Sequence, residues 1–189
     1  MASDAELIAR SLAGDAEAFV EVVTRHEVAI GGYLTRRAGR EAAEDLLGDV
    51  WVAAFAARKS YDGAYPDARP WLYAVALNRL RQHWRSRPPE DLLPTLAEMP
   101  SQWDPWPSVV TRVDTQAALR GALADLRPDE REVLTLVAGE DLTAADAARV
   151  LGIPAGTARR LLHQARTTLS NTPEVAALLL ELNSVKESK

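Results

Sequence analysis

Six of the eleven prolines in the chain stand between Pro88 and Pro107, in the stretch PPEDLLPTLAEMPSQWDPWP. Each proline fixes φ and removes a backbone donor, so neither helix nor sheet persists at that density, and the stretch is predicted to be a linker over residues 88–107. This confines the fold to two parts, residues 1–87 and 108–170, each near the smallest size that supports its own core, followed by a tail at 171–189. A length of 189 residues allows one ordinary domain or two small ones, and the linker selects two. With 47% hydrophobic and 26% charged residues, both parts can bury a core. No apolar run, VAALLL near the end included, approaches the roughly 18 residues of a membrane span, so membrane insertion is not expected. Cysteine is absent, which excludes disulfides and thiolate ligands within the chain, and the acidic start MASDAELIAR does not read as a secretory leader. The cytoplasm is the expected location.

Both parts read as helical, and no stretch sustains strand alternation; the expected class is all-α. Ser3 and Glu6 form a capping-box pair, and Leu7, Ile8, Leu12, Phe19, Val22 and Val23 recur at helical spacing. A second helix runs through REAAEDLLGDVWVAAFAAR, with Leu46, Leu47, Val50, Trp51 and Phe55 on one side and Glu44, Asp45 and Asp49 on the other. PWLYAVALNRLRQHWRSR opens with a proline suited to a first helical turn. Its Trp71, Leu72, Val75, Leu80 and Trp84 are placed toward a core, and its Asn78, Arg81, Gln82 and Arg85 outward. In the back part, SVVTRVDTQAALRGALADL is a helix, DEREVLTLVA is another that Gly139 stops, and Thr172 and Pro173 can start a short tail helix.

The stretch LTAADAARVLGIPAGTARRLLHQARTTL carries the sharpest signal. Thr143 and Asp146 cap a short helix, Gly152 permits a tight turn and Pro154 starts the next helix. Two helices crossing steeply around a short turn need small residues at their closest approach, which Ala148 and Gly152 supply; this is a helix-turn-helix pattern. Ala147, Leu151, Ile153, Ala158 and Leu161 fill the buried positions. Gly156, Thr157, Arg159, Arg160, His163, Gln164 and Arg166 are left exposed on or beside the second helix, a donor-rich set suited to base edges and phosphates. The charge distribution agrees. The net charge is −5, yet residues 68–89 and 147–172 hold nine arginines and no acid, leaving all 27 acidic side chains to the rest of the chain. Screening confines each charge to about 8 Å at physiological salt, so phosphate follows these local patches and not the total.

With those residues in view, the back part resembles the promoter-reading C-terminal domain of bacterial extracytoplasmic-function (ECF) sigma factors, a small two-domain class. The front part is similar to their other domain: DAELIARSLAGDAEAFVEVVTRH to its first helix, AAEDLLGDVWVAAF to its polymerase-binding helix, and RPWLYAVALNRLRQHWRSR to its helix for the minus-ten element. The likeness runs from about residue 4 to 170, in order. It implies an alternative sigma factor that binds core RNA polymerase, recognises promoter DNA and helps melt it. Asp45, Leu46, Leu47, Asp49 and Trp51 match the polymerase-gripping motif. Gly48 stands where the family usually has glutamine, and a mid-helix glycine costs about 1 kcal/mol of helix stability, which implies a weaker grip. For the minus-ten element the resemblance implies base capture by the loop Tyr61–Arg69, which includes Asp62 and Gly63, and reading by Asn78 with Arg81, Gln82 and Arg85 nearby. Trp71 is assigned to the core. For the minus-thirty-five element the matching positions are Arg159, Arg160, His163 and Gln164, with Thr157 beside a phosphate and Arg166 flanking. Leu161 and Gln164 replace two family arginines, which implies lower affinity or altered preference. Family members are commonly held by an anti-sigma protein, an expected further partner.

No catalytic residues, metal ligands or cofactor are expected: His26, His83 and His163 are scattered, and no phosphate loop or nucleophile motif occurs. Two other readings share the same residues. The back part is also similar to the DNA-binding domain of LuxR-type regulators, which gives a stand-alone helix-turn-helix regulator. Alternatively, a sigma mimic would occupy an anti-sigma factor without reading DNA.

Overall fold

The computed structural model describes residues 2–86 and 121–171, and the chain divides into two compact units, 1–100 and 101–189. The linker expected at 88–107, most of the helix expected after it and the tail helix lie outside the described residues. Every regular element among the described residues is helical.

The first unit has four α-helices: α1 (Asp4–Leu12), α2 (Ala16–Ala38), α3 (Arg40–Ala57) and α4 (Arg69–Arg85), with a 3-10 turn at Arg58–Ser60. The stretch read as one helix over 4–26 is two. The chain turns at Gly14, whose φ of 108° is open to glycine, and Asp15 caps α2 by accepting from the Ala18 amide at 3.3 Å. Apolar spacing alone missed this break because Leu7, Ile8, Phe19 and Val22 all still reach one core. Ser3 and Glu6 form the expected reciprocal cap, Ser3 N donating to Glu6 Oε2 at 2.7 Å and Glu6 N to Ser3 Oγ at 3.2 Å. Gly39, with φ 80°, ends α2 and starts α3 without a linker, folding them into a tight antiparallel pair.

The core of this unit combines Leu7 and Ile8 with Val22, Ile30, Tyr33 and Leu34, Leu46, Val50 and Ala54, and Leu72, Tyr73, Ala76, Leu77 and Leu80. Tyr33 and Tyr73 meet edge to face at 5.2 Å, joining α2 to α4. Several side chains assigned to the core sit at its margin, Val75 and Trp84 among them half-buried. Phe55 is 40% exposed and packs its ring against Phe19, Leu12 is likewise exposed, and Trp71 is half-buried against the Tyr61 ring at 5.3 Å. Small residues fill part of the interior instead, Ala54 and Ala76 being fully buried.

The second unit contains the end of a helix at 121–124, then α5 (Pro128–Leu134), a π turn at Thr135–Gly139, α6 (Ala144–Leu151) and α7 (Ala155–Ser170). Arg131 seals the first of these ends, donating to the carbonyls of Leu123, Ala124 and Leu126 at 2.8–3.0 Å. Gly139 was expected to stop the α5 stretch. The helical stretch does end there, but its last turn widens into the π turn, and the chain reverses at Asp141, the one non-glycine residue with positive φ (53°) among the described residues. Leu136, Leu142, Ala147, Ala148, Val150, Ala158, Leu161, Leu162, Ala165 and Leu169 are buried here, with Leu151 and Ile153 half-buried.

Candidate nucleic-acid interface

The helix-turn-helix forms as its local chemistry dictates. Asp146 N donates to Thr143 Oγ1 at 3.1 Å and Thr143 N to Asp146 Oδ2 at 3.2 Å, closing the cap on α6. At the other end Gly152 is left-handed (φ 66°, ψ 34°) and Ile153 N donates to Ala148 O at 3.0 Å, the bond that ends a helix on a glycine. Ala148 is buried as expected, but a Cβ on Gly152 would meet nothing within 4 Å, so this glycine serves the left-handed turn and not a close helix contact. Pro154 then starts α7, whose first turn contains no acid.

Along α7, Gly156, Arg159, Arg160, His163 and Arg166 are exposed, while Thr157 and Gln164 are half-buried at the margin. Gln164 is held from two sides: its Oε1 accepts from Arg160 Nη1 at 2.9 Å and from Arg127 Nη2, just before α5, at 3.1 Å. Arg127 itself is gripped by Glu130, its Nε donating to Oε1 at 2.8 Å and its amide to Oε2 at 3.1 Å. The bond from the Arg127 side chain holds the Glu130 carboxyl below the usual carboxylate range. The fourth arginine of this acid-free sequence window, Arg149, pairs with Asp146 on α6.

On α4, Asn78, Arg81, Gln82 and Arg85 are all exposed, and their i, i+3, i+4, i+7 spacing puts them on one face. Beside them a groove of about 330 Å³ is lined by Ala53 and Ala57 of α3 and by Val75, Asn78, Arg79, Gln82 and Arg85. The loop Tyr61–Arg69 precedes this helix. Asp62 turns inward on the backbone, accepting from the Ala64 amide at 3.0 Å, so its role there is to shape the turn around Gly63. The Tyr61 hydroxyl donates to Tyr65 O, and its ring rests on Trp71 in the first turn of α4. Asn78 lies two turns further on, about 10 Å of helical rise from Trp71.

The loop is tied at its far end to the start of the chain, a connection sequence reading did not find. Asp4 N donates to Pro66 O at 3.1 Å, and the buried Asp4 carboxylate accepts from the Ala68 amide at 2.9 Å, His26 Nε2 at 2.8 Å and Arg25 Nη1 at 3.1 Å. Burial pushes this carboxyl up. The hydrogen bonds from His26, Ala68 and Arg25, with the charge of the imidazole, outweigh burial and lower its pKa to about 2. Asp4, His26 and Asp67 bring one ligand atom each within 4.8 Å of one another. Their oxygens are already engaged by N–H donors, those of Asp67 by Arg69 N and Nε, so the cluster reads as a hydrogen-bond hub and not as a cation site. His26 thus has carboxylate neighbours 22 and 41 residues away in the chain, which its position in the sequence does not show.

The third candidate face is on α3. Asp45 and Asp49 are exposed, with Gly48 between them, whereas Leu47 and Trp51 are half-buried and Leu46 is only 5% exposed and belongs to the core. Val52, 73% exposed, continues the row one turn beyond Gly48. The spacing from Asp45 would have found it, but a valine draws no notice in a sequence. A Cβ added at Gly48 meets nothing within 4 Å. Gly48→Ala is therefore expected to raise stability by about 1 kcal/mol, measured as an increase in denaturant midpoint at unchanged slope.

Residues 22–88 match the sigma-70 region 2 family and residues 116–169 match sigma-70 region 4. The chain is 31% identical over 178 residues to the ECF RNA polymerase sigma factor SigM of Mycobacterium tuberculosis, covering 89% of this chain and 83% of that one. It is 30% identical to the ECF sigma factor BldN of Streptomyces coelicolor, covering 87% of this chain and 64% of BldN. Among solved structures, CnrH in complex with the cytosolic domain of CnrY superposes with a TM-score of 0.62 at 26% identity, covering 93% of this chain and 96% of CnrH. No described helix is long and apolar enough to cross a membrane. Two sigma-70 regions in order, together with 31% identity to SigM across 83% of that protein, place this chain in the ECF group of the sigma-70 family of RNA polymerase sigma factors.

Proposed function

We propose that this alternative sigma factor divides its work among three faces, acting in the cytoplasm as the promoter-specificity subunit of RNA polymerase. The acidic row Asp45, Gly48, Asp49 and Val52 on α3 takes the core enzyme, with Leu46, Leu47 and Trp51 anchoring that helix from beneath. Tyr61, Asp62 and Gly63 shape the loop that captures an unstacked base of the minus-ten element, while Asn78, Arg81, Gln82 and Arg85 seat the single strand. Thr157, Arg159, Arg160, His163, Gln164 and Arg166 face the minus-thirty-five element in the major groove. The domain plan follows: a front part to residue 87, a linker over 88–107, a helix-turn-helix part at 108–170 and a tail. No catalytic step is assigned to the chain, because the chemistry of RNA synthesis belongs to polymerase. A protein that holds the free subunit completes the set of partners, as CnrH was solved with the cytosolic domain of CnrY.

The observation that carries this reading is the separation of sign. Acids occupy the outer face of α3, whereas the outer faces of α4 and α7 carry arginine and amide side chains without acids. An overall charge of −5 repels DNA, so the free subunit gains little from either cationic patch alone. Polymerase, by holding both units, converts two weak contacts into one strong one. The expected result is weak binding of promoter DNA by the isolated protein, and strong binding with transcript formation by the holoenzyme. Equal DNA binding with and without polymerase would overturn this reading and favour a stand-alone regulator.

A further inference from the structure

Arg127 belongs to none of the three faces by sequence, yet the fold delivers it to the edge of α7. Its guanidinium and that of Arg160 both donate to the single oxygen Gln164 Oε1, at 3.1 and 2.9 Å. Two like charges around one neutral acceptor repel each other, and the carboxylate at hand, Glu130, bonds Arg127 directly and reaches Arg160 only through its charge. One carboxylate faces two guanidiniums, so the arrangement keeps a net positive charge. Arg127 is also held in place: Glu130 grips its Nε and its backbone amide together, and Pro128 fixes the turn into α5. The Arg127 side chain is 60% exposed, and its bonds to Glu130 and Gln164 run from Nε and Nη2. Gln164, its oxygen committed to both arginines, has only its amide N–H groups left to offer. All three groups therefore present donors, and a planar guanidinium with a fixed orientation is the group best matched to a phosphate.

We infer that Arg127, Arg160 and Gln164 form a clasp for one phosphate of the DNA backbone, extending the contact of the helix-turn-helix from α7 to the entry of α5. This rests on the reading of α7 as the minus-thirty-five helix. Arg127 adds affinity without sequence information, and Gln164 orients the two arginines and serves the backbone, not a base edge.

The test uses holoenzyme on duplex promoter DNA, with the dissociation constant measured across a series of KCl concentrations. Arg127→Gln removes one charge at the phosphate, so binding at low salt is expected to weaken by about 3- to 10-fold and the slope of log K against log salt to fall by about 0.9. The loss is expected to be the same for promoters with altered minus-thirty-five sequences. Arg127→Lys keeps the charge without the fork and is expected to retain the wild-type slope. If Arg127→Lys loses the slope as fully as Arg127→Gln, the effect is one of packing around Glu130 and the clasp is wrong. If Arg127→Gln leaves the slope unchanged while Arg160→Gln lowers it, the clasp is wrong and α7 keeps its role. If neither variant changes the slope, the clasp and the reading of α7 fall together.

Discussion

Reversing both charges at Arg159 and Arg160, as Arg159→Glu with Arg160→Glu, is expected to lower transcription from a minus-thirty-five-dependent promoter by about 100-fold or more, while the subunit still assembles with polymerase. Both side chains are exposed on α7, so their replacement removes no core packing and should not unfold the domain. Each good contact to a base edge or phosphate is worth about 1–3 kcal/mol, and a carboxylate placed against phosphate adds repulsion to the loss. Two such positions together reach roughly 3 kcal/mol, which is on the order of 100-fold. Run-off transcription and co-purification with core polymerase measure the two halves of this expectation. Unchanged transcription would show that α7 does not read the promoter, whereas no transcript from either protein, with anti-sigma binding retained, would support the mimic reading.

The second large effect is expected at Asp4. Asp4→Ala leaves the Ala68 amide, His26 and Arg25 without their shared acceptor in a buried site, a loss of about 2–4 kcal/mol. In a domain of this size that lowers Tm by on the order of 10–20 °C. The same carboxylate makes stability depend on pH. Because its folded pKa is depressed to about 2, its contribution is complete above the ordinary carboxylate range near pH 4 and is lost as pH falls toward 2. Allowing for screening by solvent, that contribution is about 1–2 kcal/mol. Thermal melts of the full chain between pH 2 and pH 7 should show a steeper acid decline for wild type than for Asp4→Asn. Parallel declines would show that the carboxylate is not held as described. Since Asp4 also anchors Pro66 and Ala68, loosening it should impair promoter opening more than duplex binding.

Several elements were legible in the sequence because their causes are local. The Ser3–Glu6 and Thr143–Asp146 caps, the left-handed Gly152 and the helical span of α3 depend on residues within a few positions of each other, and all form as read. The outward set on α4, Asn78, Arg81, Gln82 and Arg85, is equally local, since one helical period fixes which side chains share a face. The break at Gly14 and the π turn before Asp141 were not legible, because the apolar spacing on either side continues across both.

What the sequence by itself determined was the helical class, the helix-turn-helix and the placement of charge on separate faces, all properties of short windows with a single period. Only the tertiary structure decided which large side chains sit at the margin of the core, that Asp4 ties His26, Arg25 and the loop at Ala68 into one buried hub, and that Arg127 and Arg160 converge on Gln164. Those pairings join residues between 4 and 64 positions apart in the chain. Beyond one or two helical turns, spacing in the chain ceases to set distance in space, and close packing of the helices settles which polar groups meet.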